Sequence, residues 1–68
     1  MILTPRRIGV KLKTLRAAKG MSQAALAKKA RMSREHLSRL EAGRYDPAVG
    51  LVQRLAKGLG VSLTALLK

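Results

Sequence analysis

The chain has 68 residues, no cysteine, one histidine and a formal net charge of +12, because fifteen lysines and arginines face only three acidic residues. The lack of cysteine excludes disulfide bonds and thiolate metal sites, and a single histidine leaves too few ligands for zinc. These residues also leave no nucleophile–base pair, so neither an enzyme nor a cofactor is expected. The charge indicates a polyanionic partner, with nucleic acid favoured over an anionic membrane surface.

The sequence contains no membrane or secretion signal that we recognise. No apolar run approaches the roughly 18 residues of a spanning helix, and the opening MILTPRR lacks the apolar core of a signal peptide. We therefore predict one domain over residues 1–68, soluble and cytoplasmic. A chain this short buries only about 60% of its unfolded surface, so we expect modest stability.

The spacing of apolar residues predicts five short helices and no strand. Each predicted helix begins at a polar capping residue: Thr4, Ser22, Ser33, Asp46 and Ser62. Pro5 and Pro47 each follow a cap, which is the position that proline favours at the start of a helix. Glycine is expected to end three of the helices, at Gly20, Gly43 and Gly60.

Apolar residues at helical spacing predict an aliphatic core. In chain order they are Ile8, Leu12, Leu15, Leu26, Ala27, Ala30, Leu37, Leu40, Val49, Val52, Leu55, Ala56, Leu59, Leu63, Leu66 and Leu67. Gly9, Gly50 and Gly58 lie inside the predicted helices, where each costs about 0.5–1 kcal/mol relative to alanine.

The second and third predicted helices, SQAALAKKARMSREHLSRLEAG, have the length and turn of a helix-turn-helix unit over about residues 22–42. Together with LKTLRAAKG before this segment, RYDP after it and LVQRLAKGLGVSLTALL near the end, it resembles the lambda-repressor/Cro-like family, also called the XRE family. The combined motifs are specific, although each alone is weak. The resemblance implies an all-α, compact five-helix fold of the lambda-repressor type.

Two residues depart from the family pattern. Arg31 occupies the turn where the family usually has glycine, and a non-glycine residue in a left-handed conformation costs roughly 1–2 kcal/mol. Either the turn accepts that cost or it takes another shape. Ala42 stands where the family often has asparagine before the glycine, which removes one potential phosphate or backbone contact.

The resemblance implies that the third helix reads bases in the major groove. Its base-facing positions are Arg34, Glu35, Ser38 and Arg39. The two arginines suit guanine, and Glu35 suits the amino group of cytosine. Other roles for Glu35 stay open, because it lies four residues before Arg39 and in the first helical turn, where an intrahelical ion pair and the helix dipole both favour an acid.

Further roles follow from the same resemblance. Phosphate contacts are expected from Gln23, Ser33, Arg44 and Tyr45. Glu41 is expected to form an ion pair with Arg16 that holds the third helix to the first. Lys28 and Lys29 are better explained as a solvated basic face, and His36 as a packing or phosphate-contacting residue.

The function implied is a sequence-specific double-stranded DNA-binding transcriptional regulator, a repressor from a bacterium or phage-infected host. It would bind a palindromic operator as a homodimer. The apolar C-terminal residues either form the dimer surface or close the monomer core: Val49, Leu59, Val61, Leu63, Leu66 and Leu67.

Three alternatives are weighed against this function. The first is an antitoxin that binds a toxin partner and represses its own promoter. A membrane-surface module is disfavoured because the basic segment RRIGVKLKTLRAAK lacks aromatic anchors. An RNA-binding module is disfavoured because Tyr45 is the only aromatic platform for stacking a base.

Overall fold

The structure is a computed structural model that describes residues 4–67, apart from the side chains of Pro5 and Arg6. Over this range the chain forms five α-helices and no strand, so the predicted all-α fold is confirmed. The helices are α1 (Pro5–Ala18), α2 (Gln23–Ala30), α3 (Arg34–Glu41), α4 (Val49–Leu59) and α5 (Leu63–Leu67).

Four of the five predicted helix caps are confirmed. In each, the side-chain hydroxyl accepts a hydrogen bond of 3.0–3.2 Å from the backbone N–H three residues later. These caps are Thr4, Ser22, Ser33 and Ser62. Each bond satisfies one of the donors that the first helical turn leaves without a partner.

The predicted start of the fourth helix is wrong. α4 begins at Val49, its N-cap is Ala48 without a side-chain hydrogen bond, and Asp46 is an exposed loop residue instead of a cap. The chain is still extended at Ala48 (φ −65°, ψ 152°), so Pro47 lies before the helix. Val49, predicted to be part of the core, is 69% exposed, whereas Leu51 is buried. Val49 lies at the edge of the apolar face that Leu51, Val52 and Leu55 form on α4.

The core is aliphatic, as the composition predicts, and α2 lies at its centre against both α3 and α4. α5 closes it by packing on α1 and α4. Leu59 and Leu66 are at most 3% exposed and so belong to the core, whereas Val61, Leu63 and Leu67 are partly buried against it. Leu59 and Leu66 are therefore unavailable to a partner.

Gly9 brings α1 directly onto the end of α3. A Cβ atom at this position would lie 2.5 Å from the Leu40 carbonyl oxygen and 2.7 Å from that of Glu41. Real Cβ atoms do not approach backbone oxygens so closely, and neither backbone segment is free to move. Gly9 thus lowers the intrinsic stability of α1 as a helix, but it allows the close approach of α1 to α3.

Arg31 ends α2 in the left-handed conformation, with φ 59° and ψ 51°. Among the described residues, the other positive-φ positions are all glycines: Gly20, Gly43 and Gly60. The turn therefore takes the left-handed shape and accepts the roughly 1–2 kcal/mol that a Cβ atom costs there.

Candidate nucleic-acid interface

α3 has one buried and one exposed face. Leu37 and Leu40 are fully buried under it. The predicted base-reading side chains are all exposed on the opposite side: Arg34, Glu35, Ser38 and Arg39. The structure thus brings these four residues together on one solvent-facing surface, which we call the α3 face.

An ion pair ties the end of α3 to α1. Arg16 donates from Nε to Glu41 Oε2 at 2.7 Å and from Nη2 to Glu41 Oε1 at 3.0 Å. Its Nη1 donates to the Met21 carbonyl oxygen at 2.8 Å, and Gln23 Nε2 donates to Glu41 Oε1 at 3.0 Å. A forked guanidinium–carboxylate pair of this kind fixes orientation as well as distance. It joins α1, α2 and their connecting loop to α3.

The surroundings of the pair favour its charged form. Burial raises the pKa of the Glu41 carboxyl, but hydrogen bonds from Arg16 and Gln23, with the positive charges of Arg16 and Lys13, outweigh burial and hold that pKa below its ordinary value. The hydrogen bond to Glu41 raises the pKa of Arg16, against the opposite effect of burial. The α3 face is therefore anchored by a pair that is ionised at neutral pH.

The two charges at the centre of the α3 face are not engaged with each other. Within the described residues, no ion pair joins Glu35 to Arg39, although their spacing permits one. The intrahelical pair that the sequence suggested for Glu35 is therefore absent from this structure. Both side chains point to solvent.

The loop after α3 is held back against the helix. The rings of His36 and Tyr45 stack with centroids 4.8 Å apart and an interplanar angle of 26°. The Tyr45 hydroxyl also donates to the His36 carbonyl oxygen at 3.4 Å. Burial raises the pKa of Tyr45, against the lowering effect of the Arg39 charge. His36 is thus a packing residue, which is one of the two roles expected for it.

The predicted phosphate contacts fall into two groups. Ser33 and Arg44 are exposed at the two ends of α3, although the Ser33 hydroxyl already caps the helix. Gln23 and Tyr45 are partly buried, and each uses its polar group inside the protein. Phosphate binding by all four residues stays a prediction.

Sequence reasoning missed two residues that position the α3 face. The sequence indicates only a loss of helix propensity at Gly9, because no nearby residue reveals that α3, 31 residues later in the chain, approaches it. The Met21 carbonyl was missed because a backbone acceptor leaves no trace in the residue type. Tyr45 and His36 were both singled out, but their stacking joins residues nine apart and was not foreseen.

In the part of the chain that the structure describes, no group of histidine, cysteine, aspartate and glutamate is arranged to hold a metal ion. No described helix is long and apolar enough to cross a membrane. A short braced helix with an exposed cationic face, presented by a tight turn, defines a helix-turn-helix DNA-binding protein.

Comparison with known proteins identifies the family. Residues 12–66 match the HTH_3 helix-turn-helix family, and the chain belongs to it. The predicted membership of the lambda-repressor-like (XRE) type of regulator is thereby confirmed.

Individual relatives agree with this assignment. The chain is 32% identical over 59 residues to an immunity repressor protein of Bacillus phage phi105, a match that covers 87% of this chain and 41% of the repressor. The chain thus spans less than half the length of that relative. It is 42% identical over 53 residues to an uncharacterised HTH-type transcriptional regulator of Methanocaldococcus jannaschii, covering 78% of this chain and 80% of the regulator.

A solved structure has the same fold. The clp gene regulator ClgR from Corynebacterium glutamicum superimposes with a TM-score of 0.91 at 33% identity, over 98% of this chain and 87% of that chain. The five-helix arrangement predicted from the sequence is therefore also that of a known gene regulator.

Proposed function

We propose that the protein is a transcriptional repressor that binds a palindromic operator as a homodimer, with α3 in the major groove. The observation that carries the proposal is the α3 face: four exposed side chains able to reach base edges, on a helix locked to its scaffold by Arg16 and Glu41. Preorganisation of this kind matters because base contacts require side chains held in place before binding.

Specific roles follow from the chemistry of the α3 face. Arg34 and Arg39 each present a fork of donors that matches O6 and N7 of guanine. Glu35 accepts from the amino group of cytosine, and Ser38 accepts or donates. The missing Glu35–Arg39 ion pair supports these roles, since both side chains are available to DNA.

Phosphate binding supplies most of the affinity in this proposal. Ser33 and Arg44 flank α3 and are exposed, and the N-termini of α2 and α3 present backbone N–H groups to an anion. If about six phosphates are neutralised, the logarithm of the binding constant falls with the logarithm of salt concentration at a slope of about −5.

An apolar groove supports the proposed dimer. It encloses about 180 Å³ and is lined by Ile8, Pro47, Val49, Val52, Leu63 and Leu67. None of these residues is charged, in a chain with a net charge of +12. Two copies of such a basic chain are best brought together at an uncharged surface, because a charged one would add to their repulsion.

Selection from a random pool of double-stranded DNA at about 150 mM salt tests the proposal. We expect enrichment of an inverted repeat whose half-site centres lie about 10 base pairs apart. Binding without sequence preference, equally strong on every member of the pool, would reject a specific repressor.

Sedimentation of two variants tests the dimer separately. Val49→Lys places a charge in the apolar groove. We expect it to sediment as a monomer without DNA and to lose cooperative binding to the operator. Val10→Lys adds the same charge at a second exposed large hydrophobic residue of the described range, 55% exposed and outside the groove, and should leave association unchanged. Equal behaviour of the two variants would exclude the groove as the dimer surface.

A further inference from the structure

A second concave surface lies between α2 and α4. It encloses about 460 Å³ and is lined by Lys29, Arg31, Arg54, Lys57 and Gly58, with no residue of α3 among them. We call it the cationic groove. It is separate from the α3 face, and four of its five lining residues carry a positive charge.

No acid compensates these charges. Glu41 is engaged by Arg16, and in the part of the chain that the structure describes neither Glu35 nor Asp46 forms an ion pair with a residue of the groove. Like charges gathered on one concave surface repel each other, and the concavity concentrates their field. The arrangement therefore costs stability unless an anion occupies the groove.

Arg31 costs further stability. It is held at φ 59°, whereas the chain uses glycine at its other described positive-φ positions. Glycine in this turn would relieve the strain and reduce the repulsion in the cationic groove. Strained backbone conformations cluster at functional sites, so one that persists at a charged concavity supports a binding site.

Two contacts hold the groove in shape. Arg54 Nε donates to the Ala30 carbonyl oxygen at 2.9 Å, which fixes the guanidinium across the end of α2. Its two terminal nitrogens form no hydrogen bond with any described residue. A Cβ atom on Gly58 would lie 3.1 Å from Leu26 Cδ1 and 3.3 Å from Lys29 Cβ. The glycine therefore allows α2 and α4 to pack closely at the base of the cationic groove.

Helix dipoles explain only part of this arrangement. Lys29 and Lys57 lie in the last turns of α2 and α4, where a cation is favoured by a few tenths of a kcal/mol. Arg54 caps the end of α2 through Nε alone. Arg31 is the C-cap of α2, so the dipole of that helix favours its positive charge as well. The dipoles do not account for the left-handed strain at Arg31 or for the convergence of all four cations on one surface.

We propose that the cationic groove is a binding site for a compact oligophosphate anion, of the pyrophosphate or tripolyphosphate class. Arginine forks bind phosphate oxygens in pairs, and the lysines add point charges. Four cations match the several negative charges of an oligophosphate better than the two of orthophosphate. The lining offers no aromatic ring to stack a base, so recognition rests on the phosphates.

Calorimetric titration of the full chain with tripolyphosphate, at about 150 mM salt, tests the proposal without DNA. Wild type is expected to bind tripolyphosphate about ten-fold more tightly than orthophosphate, since each added charged contact contributes about that factor. Arg31→Gly is expected to weaken the binding of tripolyphosphate about ten-fold. The same substitution should raise the unfolding temperature, so a loss of binding could not result from misfolding.

Lys19→Gln is the matched control, because it removes one exposed positive charge that does not line the groove. It should leave tripolyphosphate binding nearly unchanged. Equal losses in Lys19→Gln and Arg31→Gly would show attraction by net charge alone and would overturn the proposal. So would equal affinities of wild type for orthophosphate and tripolyphosphate.

Amide chemical shifts locate the bound anion. Changes centred on Arg31, Lys57 and Gly58 are expected. Changes centred instead on the N-termini of α2 and α3 would place the anion at the helix ends and overturn the proposal. A loss of operator binding in Arg31→Gly, without any tripolyphosphate binding by wild type, would also overturn it and assign the groove to the DNA backbone.

Discussion

The ion pair between Arg16 and Glu41 can be measured as a coupling energy. The Glu41 side chain is 3% exposed and that of Arg16 is 13% exposed. Replacing Arg16 by methionine leaves a buried carboxylate whose remaining partner is the Gln23 amide. Removing one partner of a buried pair costs about 3–5 kcal/mol, and we expect the lower end because Arg16 keeps some contact with water.

A double-mutant cycle measures the coupling energy from four free energies of unfolding, those of wild type and of three variants. Urea denaturation followed by circular dichroism gives each of them. The variants are Arg16→Met, Glu41→Leu and the double variant. A domain of this length has a total stability of about 3–10 kcal/mol, so all four proteins are measured in the same concentration of a stabilising osmolyte.

The double variant should be less destabilised than the sum of the single variants, by about 2 kcal/mol. The reason is that it leaves no unpaired charge in the protein interior. A coupling energy indistinguishable from zero would refute the view that this pair locks α3 to α1.

Four further substitutions test the fold. Arg31→Gly should raise the free energy of unfolding by about 1 kcal/mol, through relief of left-handed strain; an unchanged urea midpoint would contradict that strain. Gly9→Ala should lower it by about 1–3 kcal/mol because the added methyl meets backbone oxygens, whereas Gly50→Ala, with open space around its Cβ position, should raise it. Glu41 has a lowered pKa in the folded state, so its stabilisation is complete above its unfolded pKa of about 4.3 and is lost as pH falls through the folded value. Glu41→Gln should therefore reduce the fall in the free energy of unfolding at acid pH. An unchanged fall would exclude the Glu41 carboxylate as its cause.

Local chemistry explains which parts of the fold were predictable. Thr4, Ser22, Ser33 and Ser62 accept hydrogen bonds from N–H groups three residues away, so the sequence alone contains both partners. The helical spacing of Leu37 and Leu40 also identifies the buried face of α3. The family motif added the Arg16–Glu41 contact, which spans 25 residues and has no local signal.

The parts that were not predictable depend on distant contacts. Asp46 and Pro47 carry the same cap-then-proline pattern as the start of α1, yet the chain stays extended through Ala48 before α4 begins. Local sequence predicts only destabilisation by Gly9, because the α3 backbone that it contacts is far away in the chain. The sequence predicts a solvated Lys29, and the residue is exposed, but only the fold shows that it lines a groove with residues of α4.

Base reading by side chains of the α3 face can be tested by comparing the DNA motifs that the protein and its variants select. Selection from one random pool is repeated with wild type, Arg34→Ala, Arg39→Ala and the control Lys28→Ala. We predict that each arginine variant loses preference at its own position in both half-sites, at a cost of about 1–3 kcal/mol, while Lys28→Ala enriches the wild-type motif. Enrichment of the same motif by all four proteins would contradict base reading by α3.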